Sequence, residues 1–213
     1  MRNKRNIRKD LKNKILLYFS NNIREYAIIL IIFLIGVILG TLYVRNMKEN
    51  EYTEINSYIT DFLDMVNNGS KVNSNGLFQT SLRNNLIIVF LLGLAGLTVI
   101  GMPILYIIIA FKGFSIGYTI SAIIGTVGRF KGFKFIISSL FLQNIIIIPC
   151  IIVLSVSGIK LYKSIIKDRR RENIKVEIIK YLSILFMISV LNIIAAFIES
   201  YISANIFIWL YNL

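Results

Sequence analysis

The chain of 213 residues has no histidine, one cysteine, one tryptophan and two prolines. Without histidine, Ser-His and Cys-His nucleophile pairs, HExxH zinc sites and imidazole proton relays are all unavailable. The lone cysteine, Cys150, sits in an apolar run and excludes an intrachain disulfide. Charge is also scarce. Asp, Glu, Lys and Arg make up 16% of the residues, against roughly a quarter in ordinary soluble domains. Apolar residues make up 56%, and the mean hydropathy is +0.70. A water-soluble globule of this size would have to expose much of that apolar surface, and disorder requires the opposite composition. An integral membrane protein remains.

Runs free of charged residues define the crossings: Tyr26–Val44, Asn84–Phe111, Gly113–Gly128, Phe135–Ile159 and Tyr181–Ile198. About 20 helical residues cross a hydrocarbon core of roughly 30 Å. Four runs reach or approach that length comfortably. The third is short, carries Gly113, Gly117, Gly125 and Gly128, and leaves room for a re-entrant segment. The pattern predicts an all-α integral membrane protein with about five transmembrane helices, an amphipathic N-terminal helix and one helical extracytoplasmic loop.

The net charge of +13 comes from 24 Lys and Arg against 11 Asp and Glu. In a soluble chain that excess would suggest nucleic acid, but no soluble module is present to carry it. Eight cations precede or open the first span, from Arg2 to Arg24, and eight more lie between Lys160 and Lys180. The positive-inside rule puts both groups in the cytoplasm. The N-terminus is then cytoplasmic, the C-terminus outside, and the loop of about 45–85 external. Arg129, Lys131 and Lys134 go against the rule, since they fall on the outer side, while the inner turn has only Lys112.

The first 25 residues form a basic segment with Ile7, Leu11, Ile15 and Phe19 at four-residue spacing. They suit either an amphipathic helix on the inner leaflet or a solvated orientation signal, and they lack the features of a cleavable signal peptide. The remainder, 26–213, is a polytopic membrane domain with a basic cytoplasmic loop at about 160–180. In the external loop, Ile55, Tyr58, Ile59, Phe62, Leu63 and Val66 recur at three- and four-residue spacing, giving a helix with one apolar face. Turn signals at Asn67-Asn68-Gly69-Ser70 and Asn73-Ser74-Asn75-Gly76 follow. The apolar face must be covered by the bilayer surface, the protein's own bundle or a partner. Partner contact makes these six residues candidate binding positions.

Polar groups and backbone breaks are the informative features inside hydrocarbon. Glu199 stands among apolar residues, and an ionised carboxylate there should pair, protonate or sit near the interface. Its candidate partners are Arg129, Lys131 or a buried amide. Asn84 and Asn85 open the second span, Gln143 and Asn144 lie in the fourth, and Asn192 is central to the fifth. Buried amides serve as interhelical glue or line a polar pathway. Pro103 and Pro149 both fall mid-span and should kink their helices. Gly36-x-x-x-Gly40 and Gly113-x-x-x-Gly117 allow close helix approach, within the chain or in self-association as a homo-oligomer. Gly113-Phe114-Ser115-Ile116-Gly117 matches a nucleophile elbow by chance, having neither the strand-turn-helix context nor a histidine. No metal-ligand cluster or phosphate loop is present in the sequence. The expectation is a protein that is not an enzyme, with no metal and no cofactor.

Several of these residues resemble a known family. Asn84-Asn85, the span with Gly93, Gly96, Gly101 and Pro103, and Lys112-Gly113-Phe114-Ser115-Ile116-Gly117 are similar to the stage II sporulation protein M family. So are Leu142-Gln143-Asn144 running into Pro149, and Ala195-Ala196-Phe197-Ile198-Glu199. The resemblance extends over about residues 21–203. It implies a multi-pass protein of the cell membrane in endospore-forming bacteria, acting at the septum during engulfment. It further implies recruitment and stabilisation of two peptidoglycan-degrading partners, stage II sporulation proteins P and D. Lipid and other sporulation membrane proteins are the expected partners, and nucleic acid is not. The alternative is a permease-like transmembrane subunit of a solute export system, with Gln143, Asn144, Asn192 and Glu199 along the path. The chain has no nucleotide-binding motif of its own.

Overall fold

Almost every residue of the first run is apolar, so a helix there has no face for water. It forms α1, Ile23–Arg45, and leaves Ile31, Leu34, Ile38 and Leu42 exposed, as a lipid-facing rod requires. Its buried stripe is Ile29, Gly36, Gly40 and Val44. The structure is a computed structural model that describes residues 20, 22–67, 74–98, 100–167 and 174–203. The amphipathic helix expected over residues 1–19 and the stretch 205–213 lie outside them.

After α1 come α2, Glu49–Asn67, then α3, Ser74–Leu97, and α4, Gly101–Val127. A short α5, Arg129–Phe135, runs through a π-helical segment, Ile136–Phe141, into α6, Leu142–Lys167. Last is α7, Ile174–Phe197, which passes into a second π-helical segment, Ile198–Ser203. Every element among the described residues is helical. Five stretches are long and apolar enough to cross a membrane: Ile23–Arg45, Ser74–Leu97, Gly101–Val127, Leu142–Ile166 and Ile174–Ile202. The protein is an all-α, multi-pass membrane protein.

The number of crossings is as expected, but the second and third have different boundaries. The charge-free run Asn84–Phe111 is not one rod. The chain turns over between Leu97 and Gly101, the ends of α3 and α4, where Gly101 N–H donates to Thr98 O at 3.1 Å. A Cβ on Gly101 would sit 1.5 Å from Ala95 O, so only glycine permits the turn. Pro103 therefore stands in the first turn of α4, where its missing N–H costs no intrahelical bond, and not at a mid-span kink. Pro149 is inside α6 as expected. The third crossing is 27 residues long and takes in Lys112, which the sequence reading put in a cytoplasmic turn. The loop expected to be external ends earlier than the sequence predicts, since α3 begins at Ser74, and helix continues into both ends of the basic loop.

Lipid tails are as apolar as the helices, so association depends on close packing more than on expulsion of water. The tightest contact joins α1 and α4. A Cβ on Gly36 would lie 2.2 Å from Ala110 O, and one on Gly40 2.1 Å from Phe114 O. From the other side, Gly113 meets Phe33 O at 2.3 Å and Gly117 meets Val37 O at 2.1 Å. Both pairings advance by four residues in the same direction, so the two helices run parallel. The two small-xxx-small motifs thus interlock within one chain. Tyr43 extends this seam edge-on to Phe114, with ring centroids 5.7 Å apart.

Helices α3, α6 and α7 form the rest of the core. The Tyr181 hydroxyl donates to Leu92 O at 2.9 Å, over Gly96, while Gly158 packs against Leu105 and Gly96. Glu25, at the start of α1, pairs with Lys163 near the end of α6. These contacts collect the start of α1, the junction of α3 and α4, the end of α6 and the start of α7 at one basic end. The opposite, loop end holds α2, Gly128 and both π-helical segments.

Candidate functional site

At the loop end, polar side chains from three elements converge inside the bundle. Ser81 of α3 donates its hydroxyl to Glu199 Oε2 in the second π-helical segment. Asn85, one turn further along α3, donates Nδ2–H to Ser81 Oγ at 3.2 Å, and Gln143 of α6 donates Nε2–H to the same oxygen at 3.2 Å. Gln143 also reaches the Glu199 carboxylate. Ser81, Asn85 and Gln143 are buried and Glu199 is half-buried. An acid in hydrocarbon costs about 2.5–3.5 kcal/mol on the insertion scale. Here protein donors stand where water would otherwise solvate it. Lys112, from the middle of α4, lies within Coulombic range of Glu199.

The local cause is a change of helical pitch. Residues 136–141 and 198–203 both wind as π-helix, and the two segments touch. Such bulges are rare and re-aim side chains relative to an unbroken α-helix. One precedes Gln143 and the other contains Glu199. Around the cluster, Tyr201 donates to Asn75 Oδ1 at 2.7 Å and stacks at 4.6 Å on Phe197. The whole arrangement fastens the start of α3 to the end of the last crossing. Chemically, it can hold a carboxylate and a cation in a water-poor setting and lock helices in register.

Of the sequence candidates, Asn85, Gln143 and Glu199 are brought together; the others are not. Asn84 is exposed. Asn144 and Asn192 donate to carbonyls of their own helices, Leu140 O at 2.8 Å and Ile188 O at 2.9 Å. Pro103 and Pro149 are exposed on the outside of the bundle. Arg129 and Lys131 are exposed too and do not partner Glu199, whose partners are a serine and a buried amide. Ser81 and Lys112 escaped the sequence reading. Ser81-x-x-x-Asn85 was available as a signal, because it sets two polar groups on one face of an apolar helix. Lys112 was obscured by the misplaced turn.

The apolar face of α2 turns partly onto the bundle. Leu63 is 6% exposed, and Ile55 and Ile59 are half-buried. Tyr52 lies so close to Gly125 that a Cβ there would be 2.6 Å from its hydroxyl. A cleft of about 380 Å³ remains between α2 and the bundle, lined in part by Ile55, Ile59, Tyr118, Ala122 and Leu140. Tyr58 stays 71% exposed. The side chains of Phe62 and Val66 lie outside the described residues.

This fold and site define a helical membrane protein whose five crossings are fastened by a glycine seam and a polar lock, with an amphipathic helix seated at one end. Residues 29–204 match the family model of Stage II sporulation protein M, and the chain belongs to that family. No curated protein and no solved structure matches it.

Proposed function

We propose that the protein is a non-catalytic scaffold of the septal cell membrane that recruits and stabilises peptidoglycan hydrolases during engulfment. The partners are stage II sporulation proteins P and D, as family membership suggests. The observation that carries this reading is the way α2 is held. Tyr52 lies against Gly125 of the bundle and Leu63 is buried, while Tyr58, at the rim of the cleft, stays largely exposed. A rigidly mounted helix loses little conformational freedom on binding, which favours a docking platform. The basic end faces the cytoplasm and α2 the exterior, where such hydrolases act. A permease receives less support, because Asn144 donates to Leu140 O one turn back in the chain and both prolines face outward.

Tyr58→Asp is the informative variant, since Leu63 is buried and a polar residue there would disturb packing as well as docking. In sporulating cells, Tyr58→Asp should leave membrane insertion intact and reduce co-purification of the two hydrolases at least fivefold. Undiminished co-purification would remove α2 as the platform. A tag at Ser70 reachable only from the cytosol would invert the orientation.

A further inference from the structure

We propose that Arg129–Phe135 is a docking element for anionic phospholipid headgroups at the loop end of the bundle. Three observations converge on it. Phe130 and Phe133 are 85% and 62% exposed, the former more than any other large apolar side chain among the described residues. Arg129, Lys131 and Lys134 are exposed as well, and among the described residues none of the three is in an ion pair. The segment holds three cations and no acid, whereas α2 at the same end carries Glu49, Glu51, Glu54, Asp61 and Asp64.

Geometry fixes the depth of this element. Gly128 adopts φ +85°, a backbone state that side chains disfavour, and reverses the chain directly after α4. Gly132 then presses its backbone on Ile124, where a Cβ would lie 3.1 Å from the Ile124 Cα. The element is therefore held beside the last turn of a crossing, at the level of the membrane boundary. With 100° per residue, Phe130 and Lys134 project from the side opposite Gly132 and Phe133 from the flank. Aromatic rings beside cations at that level match the bilayer interface, with rings among the acyl carbonyls and ammonium or guanidinium groups on phosphates. Water alone would leave two phenylalanines hydrated, and among the described residues the acids of α2 at the same end form no ion pair with the three cations. These are the cations that oppose the positive-inside pattern, and a headgroup anion is the counterion this face lacks.

The test uses the full chain in nanodiscs of phosphatidylcholine with a minor fraction of phosphatidylglycerol. Phe133→Trp in a Trp209→Phe background supplies one reporting indole, with bromine carried on either lipid. Bromine on phosphatidylglycerol should quench at least twofold more, per mole of lipid, than bromine on phosphatidylcholine. Adding Arg129→Gln, Lys131→Gln and Lys134→Gln should abolish the difference. For the unsubstituted chain, lipid retained after detergent extraction should be enriched at least twofold in phosphatidylglycerol, which removes dependence on any variant's folding. Equal quenching, no quenching by either lipid, no enrichment, or a preference that persists without the three cations would each overturn the proposal. So would a dimer that forms only when the cations are present, since that would assign the face to a second copy.

Discussion

Replacing Gly40 by alanine tests the glycine seam with a sign that distinguishes packing from propensity. Alanine is the better helix former, and on that ground Gly40→Ala should stabilise by about 0.8–1.0 kcal/mol. The seam predicts the reverse. The new methyl carbon would stand 2.1 Å from Phe114 O, 2.8 Å from Tyr118 N and 2.9 Å from Phe114 C, all main-chain atoms that cannot swing aside. A relaxed carbon–oxygen contact needs about 3.3 Å, so α1 and α4 must part by roughly 1 Å, loosening the contacts of Gly36, Gly113 and Gly117 with them. Overpacking of this kind costs about 1–3 kcal/mol. That corresponds to a drop of roughly five- to 150-fold in the folding equilibrium. Reversible unfolding of the reconstituted protein, followed by tyrosine and tryptophan fluorescence, measures the difference. Gly93→Ala is the control, because its Cβ would meet only the flexible end of Leu185 at 3.0 Å. Equal stability of the two variants, or a gain for Gly40→Ala, would refute the backbone-contact reasoning.

The polar lock makes two further predictions. Ser81→Ala removes the group that receives Asn85 and Gln143 and donates to Glu199, so it should destabilise by about 1–3 kcal/mol in the same unfolding assay. A loss below that of a typical exposed substitution would show that the hub is dispensable. Lys112→Met and Glu199→Gln should be coupled, the double variant losing about 0.5–3 kcal/mol less than the sum of the singles. Strict additivity would mean that the cation and the acid do not sense one another.

Much of the lock could be read from residue type, and its assembly could not. Glu199, Gln143 and Asn85 stand out because polar groups are rare in this chain and costly in lipid, so each had to have a partner. Which partner is a matter of distance across the bundle. The sequence offered Arg129, Lys131 or a buried amide to Glu199, and the folded chain supplied the amide of Gln143 and an unforeseen serine, with Lys112 at longer range. No residue pattern announces a π-helical turn, because one extra residue in a coil leaves composition and periodicity nearly unchanged. Helix α2 was legible from its three- and four-residue spacing, which is a property of the helix itself. Whether its apolar face met the bundle depended on where the ends of α4 and α6 came to lie.

Composition and the lengths of charge-free runs pointed by themselves to a helical bundle with about five crossings, the short third run being open to re-entry, for a simple reason. Hydrocarbon accepts only backbone whose hydrogen bonds close locally, and about 20 apolar residues are needed for each passage. The sequence could not place the break between α3 and α4, since a glycine within an apolar run is tolerated in a helix as well as in a turn. Tertiary structure decided it by seating Gly36 and Gly40 on the backbone of α4 at Ala110 and Phe114, and Gly113 and Gly117 on the backbone of α1 at Phe33 and Val37. In lipid no hydrophobic force selects among helix pairings, so register and boundaries are set by backbone contact, which exists only once the helices have met.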